Sequence, residues 1–210
     1  EVLRLTPNDL STLVELSLLY EEQRAPDLSL RVTQEALRQS SDPQQRISLL
    51  ERLGRLSLQH RKDAVMAAKA YREVLSIQPG HREAIGQLAK AYELSQDWRG
   101  ELSTLQMLLE TEPAVEERIA TLFEIAHLWQ GPLDSRENAV EALRAVLSLD
   151  PGNIEVLKSL SELLPDAKSW QAVSEKVVRY ISENKDSQAL TAAVLAVSRI
   201  YREKFRQTHF

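Results

Sequence analysis

Apolar residues recur along the chain at helical spacing. Ile85, Leu88, Ala89 and Tyr92 fall at i, i+3, i+4 and i+7, the stripe of an amphipathic helix packed by one face. A break near Ser95–Asp97 precedes a second stripe, Leu102, Leu105, Leu108 and Leu109, which Pro113 closes. The span from Pro79 to Pro113 therefore predicts two helices joined by a tight turn. From Pro113 to Pro151 the pattern repeats. Leu122, Ile125, Ala126 and Trp129 mark a first helix, and Ala139, Leu143 and Val146 mark a second. The extra residues of this longer unit gather at Gly131-Pro132, where a turn absorbs them at little cost.

The pattern also has a long period. Pro7, Pro79 and Pro151 are spaced by 72 residues, and each ends a similar phrase: "EVLRLTP", "EVLSIQP" and "AVLSLDP". Shifting the chain by this interval superimposes Leu13, Ile85 and Leu157, then Leu16, Leu88 and Leu160, then Tyr20, Tyr92 and Leu164. Second members of the pairs align through Leu50, Leu122 and Val194, and through Leu53, Ile125 and Val197. Ala67 meets Ala139, Tyr71 meets Leu143, and Trp98 meets Trp170. Self-similarity of this kind is the mark of a repeat array. Two helices pack antiparallel only where small side chains let them approach, which gives Gly54, Ala67, Ala89, Ala126 and Ala139 their places. Each pair leaves an apolar face for the next pair to cover.

These residues resemble the tetratricopeptide repeat, whose first helix carries Leu, a small residue and an aromatic, and whose second carries Ala, an aromatic and a closing Pro. "QLAKAY" supplies Leu88, Ala89 and Tyr92. "AAKAYREVLSIQP" supplies Ala67 or Ala68, Tyr71 and Pro79, and "NAVEALRAVLSLDP" supplies Ala139, Leu143 and Pro151. The resemblance spans nearly the whole chain and is most specific in its middle three units. At the start, Ser29–Ser40 reads as polar for a packed second helix. Near the end, Leu164 replaces the aromatic and Pro165 stops a first helix early.

The resemblance implies an all-α, right-handed superhelical α-solenoid of about five helix pairs. The pairs are expected over 8–43, 44–79, 80–113, 114–151 and 152–186, with a capping or truncated-repeat helix over 187–206. Because "VLRLTP" reads as the last turn of a second helix, the sequence is expected to be part of a longer array, of the kind found in large bacterial proteins.

Composition removes several classes of function. A formal charge of −5 and a pI near 5.5 oppose phosphate-driven binding to nucleic acid. Cysteine is absent, which excludes disulfides and thiolate metal sites. No apolar run approaches the roughly 18 residues of a membrane span. The expected compartment is the cytoplasm.

No catalytic residues, metal ligands or cofactor-binding residues are read, and no cofactor is expected. His60, His81, His127 and His209 show no metal-ligand spacing, and no Gly-rich phosphate loop or nucleophile elbow is present. His60 and His81 fall at turns and read as solvated. Glu21-Glu22 and Glu116-Glu117 are neighbours that cannot face one another on a helix. Trp98, Trp129 and Trp170 occupy packing positions of the repeat.

What remains is a protein-interaction surface. The inner wall of such an array is lined by first helices and receives extended peptides or partner helices. Its expected residues are Val14, Leu18, Arg55, Leu58, Lys90, Glu93, Phe123, His127, Gln130 and Lys158. Arg55, Lys90, His127 and Lys158 form a candidate cationic line, while Phe123, Val14 and Leu18 offer apolar anchors. The family's dicarboxylate clamp, built from Lys, Asn and Arg on successive first helices, finds no Asn at the matching positions. The expected role is a non-enzymatic scaffold or adaptor that binds a protein or peptide. Its alternatives are a segment that self-associates through exposed end repeats, or an accessory domain of a larger enzyme.

Overall fold

The structure, a computed structural model, describes residues 9–111, 114–164, 166–183 and 188–204. They form helices α1 (Leu10–Glu22), α2 (Pro26–Gln39), α3 (Pro43–Leu56), α4 (Ala64–Ile77), α5 (Arg82–Ser95) and α6 (Trp98–Glu110). These are followed by α7 (Val115–Gln130), α8 (Arg136–Leu149), α9 (Ile154–Leu163), α10 (Ala167–Glu183) and α11 (Gln188–Lys204). Among the described residues there is no strand. The chain divides into two compact units, residues 1–112 and 113–210.

Helix starts follow from the acidic and amide residues that precede them. The side chains of Asp42, Asp63 and Asp97 accept from the backbone N–H of Gln45 (2.8 Å), Met66 (3.0 Å) and Gly100 (3.0 Å). Asn153 and Asp166 do the same for Val156 (3.1 Å) and Ser169 (2.7 Å). Each cap satisfies a donor that the helix itself leaves open, at a worth of about 1 kcal/mol. Pro165 follows α9, which ends at Leu163 as the sequence suggests.

In the first unit consecutive helices pack in chain order, α1 on α2 through to α5 on α6, and the first helices α3 and α5 also touch. A core runs through α2, α3, α4 and α5, with Leu30, Leu50, Leu53, Leu56, Tyr71, Val74 and Leu88 among its members. A smaller cluster, Leu13, Ala36 and Leu49, joins α1, α2 and α3. Each large apolar side chain so buried contributes about 1.5–3 kcal/mol. The predicted small positions are the points of close approach: Gly54, Ala67 and Ala89 are all buried. In the second unit α7 packs on α8, α8 on α9, and α11 on both α9 and α10. Ala126, Ala139, Leu143, Val146, Leu157 and Leu160 are buried there. Trp170 is wholly buried, and its ring meets that of Tyr201 edge-on at 6.3 Å between centroids.

The shift register that superimposes Leu13, Ile85 and Leu157 therefore corresponds to common burial, at 5%, 1% and 0% exposure. One expectation needs correction. The polar segment belongs to α2, a second helix packed by one face, with Ser29 and Thr33 at 0% exposure and Arg31, Arg38 and Gln39 exposed. Their hydroxyls make this possible by donating to backbone carbonyls, Ser29 to Ser17 and Thr33 to Ser29, each at 2.8 Å. Once satisfied in this way, a hydroxyl is small enough to serve where other repeats use Ala.

The turns inside the pairs share a backbone solution. Arg24, Lys62, Gln96 and Asp134 have φ of 56°, 50°, 59° and 45°, one in each of the first four pairs. A residue in this left-handed region reverses the chain at a helix end. The α3–α4 link reaches it through a π-helical turn, Ser57–Arg61, closed by Lys62.

Candidate interaction surfaces on the first helices

The first helices of the first unit carry a polar cleft of about 330 Å³ between α3 and α5. Glu51, Arg52, Arg55 and Gln59 line one side, Glu83 and Gln87 the other, and the Tyr71 ring lies at its base. Burial pushes the Tyr71 phenol up to about 12 from its ordinary value, with the nearby carboxylates of Glu83 and Glu51 adding to the effect. The cleft therefore holds a neutral hydroxyl among charged side chains.

One wall of this cleft is braced by an ionic cluster. Glu21 on α1 faces both Arg52 (3.3 Å) and Arg55 (3.0 Å) on α3. Arg52 also donates to the Ser17 hydroxyl and to the Val14 carbonyl. Burial lowers the Arg52 pKa, which the Glu21 charge opposes, and the guanidinium stays ionised. Glu21 is thus half-buried and engaged, whereas Glu22 beside it is exposed.

His81 is likewise structural. Its Nδ1 accepts the Ala84 N–H (3.2 Å), capping α5, while its Nε2 lies 3.3 Å from Glu51 on α3. The solvated reading holds for His60, which is exposed in the π-helical turn, and fails for His81. A signal was present, since His81 follows Pro79-Gly80 and stands immediately before a periodic apolar stripe, the usual place of a cap.

The structure distributes the expected surface residues among several environments. Val14 packs against the Leu13 cluster, and Leu58 against the larger core, so both are half-buried contributors to packing. Leu18 is exposed on α1, and Lys90 and Glu93 are exposed on α5 outside the α3–α5 cleft. Arg55 lines that cleft while paired with Glu21. In the second unit, His127 and Gln130 are exposed on α7 and Phe123 is half-buried there. Lys158 lines a groove of about 440 Å³ between α9 and α11, beside Ile154, Glu162, Leu195 and Arg199. Arg55 and Lys90 thus belong to one unit, and His127 and Lys158 to the other.

Among the described residues no group of three or more His, Cys, Asp or Glu side chains could hold a metal ion. No described helix is long and apolar enough to cross a membrane.

Comparison with known proteins places this arrangement. No family model matches the chain, and no curated protein matches its sequence. Solved structures do match its fold. The crystal structure of MamA protein superimposes with a TM-score of 0.56 at 13% identity, covering 96% of each chain. MamA from Desulfovibrio magneticus RS-1, residues 41 to the end, gives 0.52 at 17% identity, over 93% of this chain and 96% of that one. YrrB, described as a TPR protein with an unusual peptide-binding site, gives 0.53 at 13% identity, over 97% and 92%. At these identities the likeness is one of fold: stacked helix pairs of the tetratricopeptide kind, in an all-α chain.

Proposed function

Starting from the fold of the tetratricopeptide-repeat proteins, we propose that this chain is a non-enzymatic scaffold or adaptor, which binds a peptide or partner helix of another protein along its first helices. The observation that carries this reading is the pair of clefts between successive first helices. The α3–α5 cleft offers charged and amide groups for a peptide backbone and polar side chains, and the α9–α11 groove offers Ile154 and Leu195 beside Lys158 and Arg199. The peptide-binding site named in the YrrB description supports the reading by analogy of fold. In this proposal Lys90, Glu93, Phe123, His127 and Gln130 extend the surface, and the repeats divide as the sequence suggests, at 43/44, 79/80, 113/114 and 151/152. A cytoplasmic location and a preference for protein over nucleic acid belong to the same reading, the latter because the chain is acidic.

The test is comparative capture. The immobilised chain and a Glu83→Lys, Lys158→Glu variant, with one exposed change in each cleft, are exposed to the same lysate, and retained peptides are then titrated against each. Binding lost with the variant at unchanged melting temperature supports the first-helix surface. Equal binding to both moves the site elsewhere.

A further inference from the structure

The second helices of the second unit form a groove that the first-helix reading does not use. It lies between α8 and α10, whose own first helices α7 and α9 are both in place, and it encloses about 330 Å³, in the range of pockets that bury a ligand's side chains. Leu147 on α8 and Val173, Val177 and Tyr180 on α10 supply its apolar surface, with Val173 and Val177 buried as its floor. The charged residues lining it are Arg144 on one wall and Lys176 on the other. Both are basic, although the chain as a whole carries −5. Arg144 shares a contact of 2.9 Å with the exposed Glu141 one turn earlier, which does not line the groove. A surface pair of this kind is weak and leaves the guanidinium able to exchange partners. Among the described residues Lys176 has no carboxylate within ion-pair distance. Glu175, its neighbour in sequence, accepts from Gln171 instead, at 2.9 Å.

Repeat packing alone does not dictate this combination. The 72-residue shift that superimposes Trp98 on Trp170 places Glu101 at Val173 and Thr104 at Lys176. Where the second unit has a valine floor and a lysine wall, the first has a buried glutamate and a buried threonine. The groove between α2 and α4 in the first unit is lined by Asp63 and Glu73 beside its cations, so it presents both signs of charge. An apolar floor between charges of one sign is thus particular to the α8–α10 groove and is not a product of the period.

We propose that the α8–α10 groove docks a short acidic segment of another protein, with apolar residues standing between its carboxylates. Lining residues recur at i and i+4 along both walls, Arg144 and Ser148 on α8, then Ala172, Lys176 and Tyr180 on α10. The α10 wall therefore runs for about two turns, on the order of 12 Å, enough for two turns of a docked helix or about four extended residues. Apolar side chains of the partner enter over Val173 and Val177, and its carboxylates meet Arg144 and Lys176 at the walls. The acidic balance of the chain disfavours such a segment over the rest of its surface, so the two cations confine docking to this groove and fix its register. No first-helix residue lines the groove, and the surface is separate from the one proposed above.

Selection of short random peptides displayed on phage, with the immobilised chain as bait, tests this. The expected result is enrichment of sequences in which Leu, Ile or Phe stands between Asp or Glu residues. Enriched peptides are then synthesised and titrated by fluorescence anisotropy. Reversing the walls (Arg144→Glu, Lys176→Glu) or filling the groove (Ala172→Trp) should weaken binding about tenfold or more, and added salt should weaken the parent complex. Lysine in place of the peptide's carboxylates should restore binding to the reversed groove alone. The first-helix variant, Glu83→Lys with Lys158→Glu, should bind these peptides as the parent does, so the outcome is distinct from that of the first-helix reading. Arg144 is half-buried and Lys176 and Ala172 are exposed, and circular dichroism and melting check that each variant is folded. Enrichment without acidic residues overturns the proposal. So does a selection that enriches nothing, or acidic peptides that both folded groove variants retain. Saturable binding of decanoate, lost in the groove variants while no peptide is enriched, would assign the site to a small anionic amphiphile and also overturn the protein-partner reading.

Discussion

The ring of Tyr71 on α4 lies against the backbone of Gly54 on α3, so closely that a β-carbon added to Gly54 would sit 2.6 Å from two ring carbons. Contacts under 3 Å between carbon atoms are repulsive, and the ring is itself buried. The residue at 54 therefore decides how near the two helices of this pair can come.

Gly54→Ala should destabilise the chain by about 1–3 kcal/mol, because the ring must leave its place in a close-packed core. Gly86, in the middle of α5 with nothing within 4 Å of its absent β-carbon, provides the opposite case. Gly86→Ala should stabilise by about 0.5–1 kcal/mol through helix propensity alone. Urea unfolding of both variants measures the contrast; two changes of the same sign would refute the packing argument.

Tyr71 also makes stability depend on alkaline pH. Its phenol titrates near 10 in the unfolded chain and at about 12 in the folded one, chiefly through burial. Between these values the unfolded state has lost the proton that the folded state keeps, so stability is full below about pH 10 and declines as pH rises toward 12. Tyr71→Phe should flatten that decline relative to the parent. The difference between their stability–pH curves measures it, and parallel curves would contradict it.

Glu21 holds two arginines, and its loss should be felt unequally. Glu21→Ala leaves Arg52 half-buried without its carboxylate and should cost about 1–2 kcal/mol. Arg55→Ala removes a more exposed partner and should cost under about 1 kcal/mol. A double-mutant cycle over Glu21 and Arg52 gives the coupling; a value indistinguishable from zero would show the cluster to be incidental.

Gln96 closes α5 at a positive φ that carries a steric penalty for any side chain with a β-carbon. Gln96→Gly should therefore raise stability by about 0.5–1 kcal/mol. Gln78, which ends α4 at φ −135°, serves as control, and glycine there should be neutral or destabilising. Thermal unfolding compares the two.

The α-helical pairs, their order and their buried stripes follow from the sequence by itself. Apolar spacing is a local property, and one face of each helix must be covered whatever lies beyond it. The small residues at Gly54, Ala67, Ala89, Ala126 and Ala139 were legible for the same reason, since close approach tolerates nothing larger. Only the tertiary structure decided which polar groups would meet. Nothing in the spacing of Glu21, Arg52 and Arg55 pairs α1 with α3, and nothing in the polar segment 29–40 says that carbonyls will receive its hydroxyls. Val14 and Leu58, apolar residues at positions that read as inner-face, turn partly into the core because neighbouring helices happen to pass there. The groove between α8 and α10 has no sequence period at all, because it exists only where two helices distant in the chain leave a gap between them. Periodic burial is written along one helix, whereas pairing and cavities depend on the placement of several.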